Sequence, residues 1–324
     1  GSPDHAYQVR RAAFDKILFD RAEEAGAIAL QETSATILHC DAAGALIQTE
    51  GAETRFFQAG LLVDASGRST AMAKLRDEKK PDPNNTSAAI FGHFQGMPRA
   101  EGTRGGHIRI HLTNPGWMWQ IPLQDGITSV GWVAPGAHMA GRGGAIEPFF
   151  HAHCARHPIG KDLALAEATG PLRATGNFSY RAAEAVGPGH IKVGDAYGFI
   201  DPIFSTGVHL ALSSGVEAAD TILAGRARPA RAQALMAAYD RRIRERIGYV
   251  SWFIYRIHDP AFREMILNPR NILGIERAVI SLLAGDFRRD LRIRSRIWLF
   301  KFFRHVVTWD RARKERASRI KAHA

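Results

Sequence analysis

Cysteine is scarce here: 324 residues carry only two, Cys40 and Cys154. Thiols so far apart supply neither a disulfide framework nor a metal-ligand spacing, and a reducing cytoplasm is the expected compartment. Also missing is any run of roughly eighteen consecutive apolar residues, which excludes a helix that crosses a bilayer. The opening residues, GSPDHAYQVRR, contain no apolar stretch of the kind that directs secretion. Acidic side chains are the minority, 32 against 43 Lys and Arg, for a formal net charge of +11. The 14 histidines form no metal pattern. His107 and His111 lie at opposite ends of an alternating strand, and His153 and His157 lack an acidic third ligand, so no metal is expected.

The positive excess is local. Residues 286 to 324 hold thirteen Lys or Arg and four Asp or Glu, a net of +9. Leu291, Trp298, Leu299, Phe302, Phe303 and Val306 recur there at helical spacing, with Ser295 as a gap. This predicts a terminal helix docked through its apolar stripe with a basic face outward. Arg288, Arg289, Arg292, Arg294 and Arg296 make the same helix a candidate surface for an acidic carrier protein. No nucleic-acid-binding module is recognisable, so no nucleic acid is expected.

What is present is globular: 45% apolar and 23% charged residues, enough for a large core and two subdomains. VRRAAFDKILFDRAEEA predicts a helix with Val9, Phe14, Ile17, Leu18 and Ala25 on one face, closed by Gly26. Strand-like pieces follow (AIALQETSATILHC, ALIQTEG, RFFQAGLLVDASG). Residues 86 to 134 then read as strand-rich, from SAAIFGHFQG to ITSVGWVA. Residues 146 to 166 read as partly helical with Pro158 as a break, strands return over 171–181 and 190–195, and nearly everything after 208 reads as helix.

Three phrases stand out. In GLLVDASGRST, residues 60 to 70, an apolar strand stops at Asp-Ala-Ser-Gly-Arg, a turn that leaves backbone N–H groups pointing outward. In VGDAYGFIDPIFSTGVHLAL, residues 193 to 212, a strand ends at Asp195, able to accept from a sugar-type hydroxyl. Pro202 stiffens the turn, and Ser205-Thr206-Gly207 opens a helix whose first N–H groups suit an anion. Simple capping by Ser205 or Thr206 is the plainer explanation of that triplet. In GWMWQIPLQDG, Trp117 and Trp119 share one strand face and Pro122 ends the regular pairing.

Together these phrases resemble flavin-dependent halogenases of the FAD-dependent monooxygenase-like superfamily. DASGR and VGDAYGFIDPIFSTG resemble the second and third FAD-binding motifs. VRRAAFD is similar to the helix whose arginine approaches FAD, with Arg11 at the matching place. Trp117-Met118-Trp119-Gln120-Ile121-Pro122 matches the Trp-x-Trp-x-Ile-Pro signature. Phe199, Pro202, Ser205 and Gly207 match Phe-x-x-Pro-x-x-Ser-x-Gly. Members acting on tryptophan carry a glutamate just before Ser-Thr-Gly; Phe204 stands there, which suggests the branch acting on phenols, pyrroles or carrier-tethered aromatics.

The resemblance implies an α/β fold with an incomplete Rossmann-like part, an inserted antiparallel sheet-rich region and a helical C-terminal part. The implied divisions are 1–85 and 182–225 for the FAD-binding domain, 86–181 for the substrate-side insert and 226–324 for the helical region. It also implies that the leading strand–Gly-x-Gly-x-x-Gly–helix unit and the family's catalytic lysine lie outside this chain. Cofactor contacts are expected from Arg11, Gly67, Asp195, Pro202, Gly207 and Val208, halide contacts from Thr206 and Gly207, and catalytic roles for Trp117, Trp119 and Ser205. The implied chemistry uses FAD reduced by a separate flavin reductase, oxygen, and chloride or bromide, to halogenate a small electron-rich aromatic, free or tethered to an acidic carrier protein. A flavin monooxygenase, a flavin-dependent reductase of an unsaturated chain, or an inactive carrier-binding remnant would share much of this sequence.

Overall fold

The computed structural model describes residues 7–83, 85–176, 179–257, 259–267 and 291–322. The chain divides into two compact units. The first comprises Gly1–His39, Leu46–Gln58 and Pro81–Tyr180; the second comprises Cys40–Ala45, Ala59–Lys80 and Arg181–Ala324.

In the first unit, α1 spans Arg11–Glu24. The predicted apolar face is not used: Val9 and Ala25 lie outside the helix, no residue of the helix is buried, and Ile17 and Leu18 are exposed. Strands β1 (Ser34–Asp41), β2 (Gly44–Glu50) and β3 (Thr54–Ala59) form a meander. The residues AIALQET before β1, read as strand-like, are all irregular or turn, and the strand begins only at Ser34. Strand β4 (Leu62–Asp64) belongs to the second unit, and β5 (Lys80–Pro81) and β12 (Tyr180–Arg181) mark crossings between units.

The strand-rich region is an antiparallel sheet. It contains β6 (Ser87–Gln95), β7 (Arg109–Leu112), β8 (Trp117–Pro122), β9 (Ile127–Pro135), β10 (Glu167–Ala168) and β11 (Arg173–Gly176). Its order is β10-β6-β9-β8-β7, with β11 also on β6. The β8–β9 hairpin closes at Asp125–Gly126, both at positive φ, as an Asp-Gly turn favours. One sheet face is covered by α3 (Gly136–Ala140), α4 (Ile146–Cys154) and α5 (Ile159–Leu163). Pro158 precedes α5, the predicted break. Phe94 stacks on Phe150 in this core, and Trp132 lies flat on His153 at 3.6 Å.

In the second unit, β14 (His190–Lys192) runs parallel to β4 and antiparallel to β13 (Val186–Gly187). Helix α2 (Ala71–Leu75) and strand β15 (Gly198–Phe199) lead to α6 (Gly207–Ala227), α7 (Ala232–Ile254) and α8 (Pro260–Leu267). Ile191, Val193, Tyr197, Ala218, Tyr239 and Ile243 pack together as their core. Lys192 is wholly buried, pairs with Glu78 and donates to the Glu184 carbonyl at 3.0 Å, so its charge is matched where desolvation would otherwise forbid it. Tyr239 Oη donates to the Lys192 carbonyl at 3.0 Å; burial holds this phenol well above its ordinary range.

The last helix, Leu291–Ala322, docks by a different stripe from the one expected. Ile297 and Phe300 are buried, Phe300 lying among Trp252, Phe253 and Phe262. Arg304 pairs with Asp259 and Arg311 with Glu264, fixing the same face. Trp298, Phe302 and Val306 instead point to solvent. Apolar residues lie on both sides of this helix, and the Ile297–Phe300 side is the one that meets the aromatic cluster Trp252, Phe253 and Phe262. Arg288 and Arg289, and the side chains of Leu291, Arg292 and Arg294, lie outside the described residues.

Candidate functional site

The DASGR and VGDA phrases are brought together by strand pairing. Strands β4 and β14 run in parallel and stop level with each other, Asp64 opposite Lys192. Val193 N then donates to the Asp64 carbonyl at 3.0 Å. Each strand gives way to one turn of 3-10 helix, Gly67–Ser69 and Gly194–Ala196, and the two turns touch. Gly67 and Gly194 sit at φ of +58° and +53°, where glycine carries no Cβ penalty. A Cβ at Gly194 would press on the Ala211 Cβ of α6 at 2.9 Å, whereas the space beside Gly67 is open.

The turns are held by groups that sequence reasoning missed. Asp64 is buried, accepting from Ser66 N at 3.0 Å and Met72 N at 2.9 Å. Ser66 Oγ accepts from Ala71 N at 2.9 Å, and Ser214 Oγ from Gly194 N at 2.8 Å. Asp64 reads as an ordinary turn acid because its second partner lies eight residues away, across a bend no local pattern marks.

Asp195 is half-buried in the second turn. Beyond it, Asp201 Oδ1 accepts from Ile203 N at 3.1 Å and caps the turn Pro202–Phe204. Ser205 adopts a left-handed φ of +52°, and Thr206 is the N-cap of α6 without a side-chain cap hydrogen bond. The expected side-chain capping of α6 by Ser205 or Thr206 is not found among the described residues: Asp201 caps the separate turn before it, and Ser205 makes the reversal. Gly207 and Val208, half-buried, begin α6.

In the first unit, β8 places Trp117 and Trp119 on one face, ring centroids 5.8 Å apart. Trp119 Nε1 donates to Ser129 Oγ at 3.1 Å and its ring lies 6.0 Å from that of Phe91. Trp117 is only 3% exposed, and its Nε1 has no hydrogen-bond partner among the described residues. Gly131 makes room for this pair, another feature the sequence does not announce. It stands opposite Trp119 on one side and Phe91 on the other, and a Cβ there would fall inside the Trp119 indole. Arg11 also lies in this unit, as the first residue of α1, in a two-point pair with Asp15.

The sequence-predicted residues thus fall in two sets. Gly67, Asp195, Pro202, Ser205, Thr206, Gly207 and Val208 share the second unit; Arg11, Trp117 and Trp119 share the first. His153 packs in the core of the first unit. It is buried against Trp132, and burial, with His157 next, lowers its pKa to about 4, so it is neutral. Among the described residues no group of His, Cys, Asp or Glu could hold a metal.

The second set fits FAD. Turns at the C-terminal ends of adjacent parallel strands are where extended phosphate-bearing cofactors dock, and the open side of Gly67 admits close approach.

A family model described as tryptophan halogenase matches residues 2–264. The chain is 29% identical over 304 residues to a 1H-pyrrole-2-carbonyl-[peptidyl-carrier protein] chlorinase of Pseudomonas fluorescens, covering 90% of this chain and 66% of that protein. It is 31% identical over 231 residues to a tryptophan 2-halogenase of Chondromyces crocatus, covering 68% of this chain and 44% of that protein. Among solved structures it is similar to the myxobacterial chondrochloren halogenase CndH, described as a variant of FAD-dependent halogenases. The TM-score is 0.75 at 26% identity, covering 95% of this chain and 77% of that one. The chain thus spans between 44% and 66% of the length of these two curated relatives.

Proposed function

Since the chain belongs to the tryptophan halogenase family, we propose that it serves a flavin-dependent halogenase acting on an electron-rich aromatic acyl group borne by a carrier protein. The observation that carries this reading is the family match over residues 2–264, within which Trp117–Pro122 forms a single strand with both indoles on one face. The carrier-borne substrate is supported by the likeness to the 1H-pyrrole-2-carbonyl-[peptidyl-carrier protein] chlorinase over 90% of the chain. Phe204 offers an apolar side chain where a carboxylate would suit a tryptophan-acting site, in keeping with that choice.

In this reading Gly67, Asp195, Pro202, Gly207 and Val208 of the second unit hold FAD. Bound FAD, reduced by a separate flavin reductase, supplies the activation of oxygen that oxidises chloride or bromide. The rest is positioning. The first N–H groups of α6, at Thr206 and Gly207, hold halide at the positive end of a 21-residue helix. Ser205, by its left-handed backbone, aims those groups. Trp117 and Trp119 offer an apolar wall to the aromatic substrate on β8 of the first unit. Both cysteines are free and buried, in keeping with a cytoplasmic enzyme. No described helix is long and apolar enough to cross a membrane.

Titration of the natural full-length protein into FAD, followed by flavin fluorescence, tests the cofactor assignment. Saturable quenching that weakens at least ~10-fold in Asp195→Ala is expected, the loss of one hydrogen bond to a charged group. Equal affinity in the variant would remove Asp195 from the site.

A further inference from the structure

The last helix carries an apolar face that nothing described in the second unit covers. Trp298 is 66% exposed, Phe302 49%, Val306 44% and Trp309 65%. At 100° per residue these four fall within about 80° of arc, and they span roughly 16 Å of helix. The opposite face is the one anchored by Ile297, Phe300 and the Arg304–Asp259 pair, so the stripe does not result from a loose helix. Trp298 and Phe302 are stacked with centroids 6.0 Å apart, and the Arg313 guanidinium lies over Trp309 at 5.7 Å. A soluble surface seldom spends two indoles this way. Indoles and arginine side by side are instead the composition of interface hot spots.

The charge around the stripe selects the occupant. The helix Leu291–Ala322 contains eleven Lys or Arg and two Asp or Glu; of those described, Arg304, Arg311 and Lys314 pair with Asp259, Glu264 and Asp310, and Arg313 lies on the stripe over Trp309. A second copy of this helix would set like charge against like. A partner with acidic side chains ringing a small apolar centre complements it. Over residues 265–324 the family match is absent, yet the match to the carrier-dependent chlorinase covers 90% of the chain and so must enter this segment. We propose that the Trp298–Phe302–Val306–Trp309 face is the docking surface for the acidic carrier protein that delivers the acyl substrate. The proposal rests on the carrier-borne reading and adds the surface through which the carrier is recognised. An anionic lipid surface is the competing occupant, since basic helices with exposed indoles also lie at bilayer interfaces.

The test measures binding of an acidic peptidyl carrier protein loaded with a pyrrole-2-carbonyl group, by fluorescence anisotropy of labelled carrier. Two variants are compared with the natural protein, Trp298→Ala/Trp309→Ala and Arg313→Glu/Lys314→Glu, each checked for an unchanged thermal unfolding midpoint. Phosphatidylglycerol vesicles serve as the lipid arm. The expected result is a Kd raised at least ~10-fold in both variants, weakening further as salt rises, with no vesicle binding. Carrier binding unchanged in both variants overturns the surface and leaves the carrier reading standing. If the natural protein binds no carrier but halogenates the same acyl group as a small thioester, the carrier reading falls and the surface with it. Vesicle binding lost in the variants, without carrier binding, assigns the face to a membrane.

Discussion

Gly131→Val lowers halogenated product formation by at least ~100-fold while the protein remains folded. The argument is steric. Gly131 lies in the middle of β9, paired with Trp119 of β8 and Phe91 of β6, and the Trp119 indole occupies the place its Cβ would take. Its φ is not positive, so the backbone accepts a side chain and the whole conflict falls on the indole. Displacing the ring breaks the Trp119–Ser129 hydrogen bond and overpacks the sheet face, costing about 1–3 kcal/mol. A shift of about 1 Å at a positioning group is enough for a ~100-fold loss in rate. Product is read by mass spectrometry and stability by urea unfolding. Adding Trp119→Ala in the valine background restores most of the lost stability, because the clash is gone, but not the activity. A Gly131→Val protein with natural activity would show that the seat of Trp119 does not matter.

The second large effect is at Asp64. Asp64→Ala leaves the buried Met72 N–H and the part-buried Ser66 N–H without their acceptor and releases the turn at Gly67. Loss of a charged acceptor from such donors costs about 2–4 kcal/mol. The parallel β4–β14 pairing survives, since it depends on main-chain bonds, so the expected product is a folded protein that binds FAD at least ~30-fold more weakly. Asp64→Asn keeps one acceptor oxygen but turns an amide donor toward one of the two N–H groups, and falls between. Urea midpoints together with flavin quenching separate the two effects. A lowered midpoint with natural FAD affinity would reduce Asp64 to a folding role and detach the DASGR turn from the cofactor.

Much of this was legible from sequence, for identifiable reasons. The strands of the sheet follow alternation and Gly, Pro and Asn punctuation, so β6, β8 and β9 fall where SAAIFGHFQG, GWMWQIPL and ITSVGWVA place them. The two indoles share a face because strand period fixes it. What could not be read were partners distant in the chain. Gly131 explains itself only once Trp119 lies over it, and Ser214 only once α6 passes Gly194. The opening of α6 departs from its pattern because Ser205 is taken up by a left-handed reversal, a backbone state that a Ser-Thr-Gly triplet does not announce. The last helix was misjudged for another reason: apolar residues surround it, and periodicity cannot say which aromatic side a neighbour selects.

The most direct measurement is the product mass when the natural full-length protein, a flavin reductase, FAD and oxygen act on pyrrole-2-carbonyl-loaded carrier protein in chloride and, separately, in bromide. The account predicts a mass gain that follows the halide and disappears when halide is withheld. Gain of a single oxygen regardless of halide would contradict it and make the protein a flavin monooxygenase.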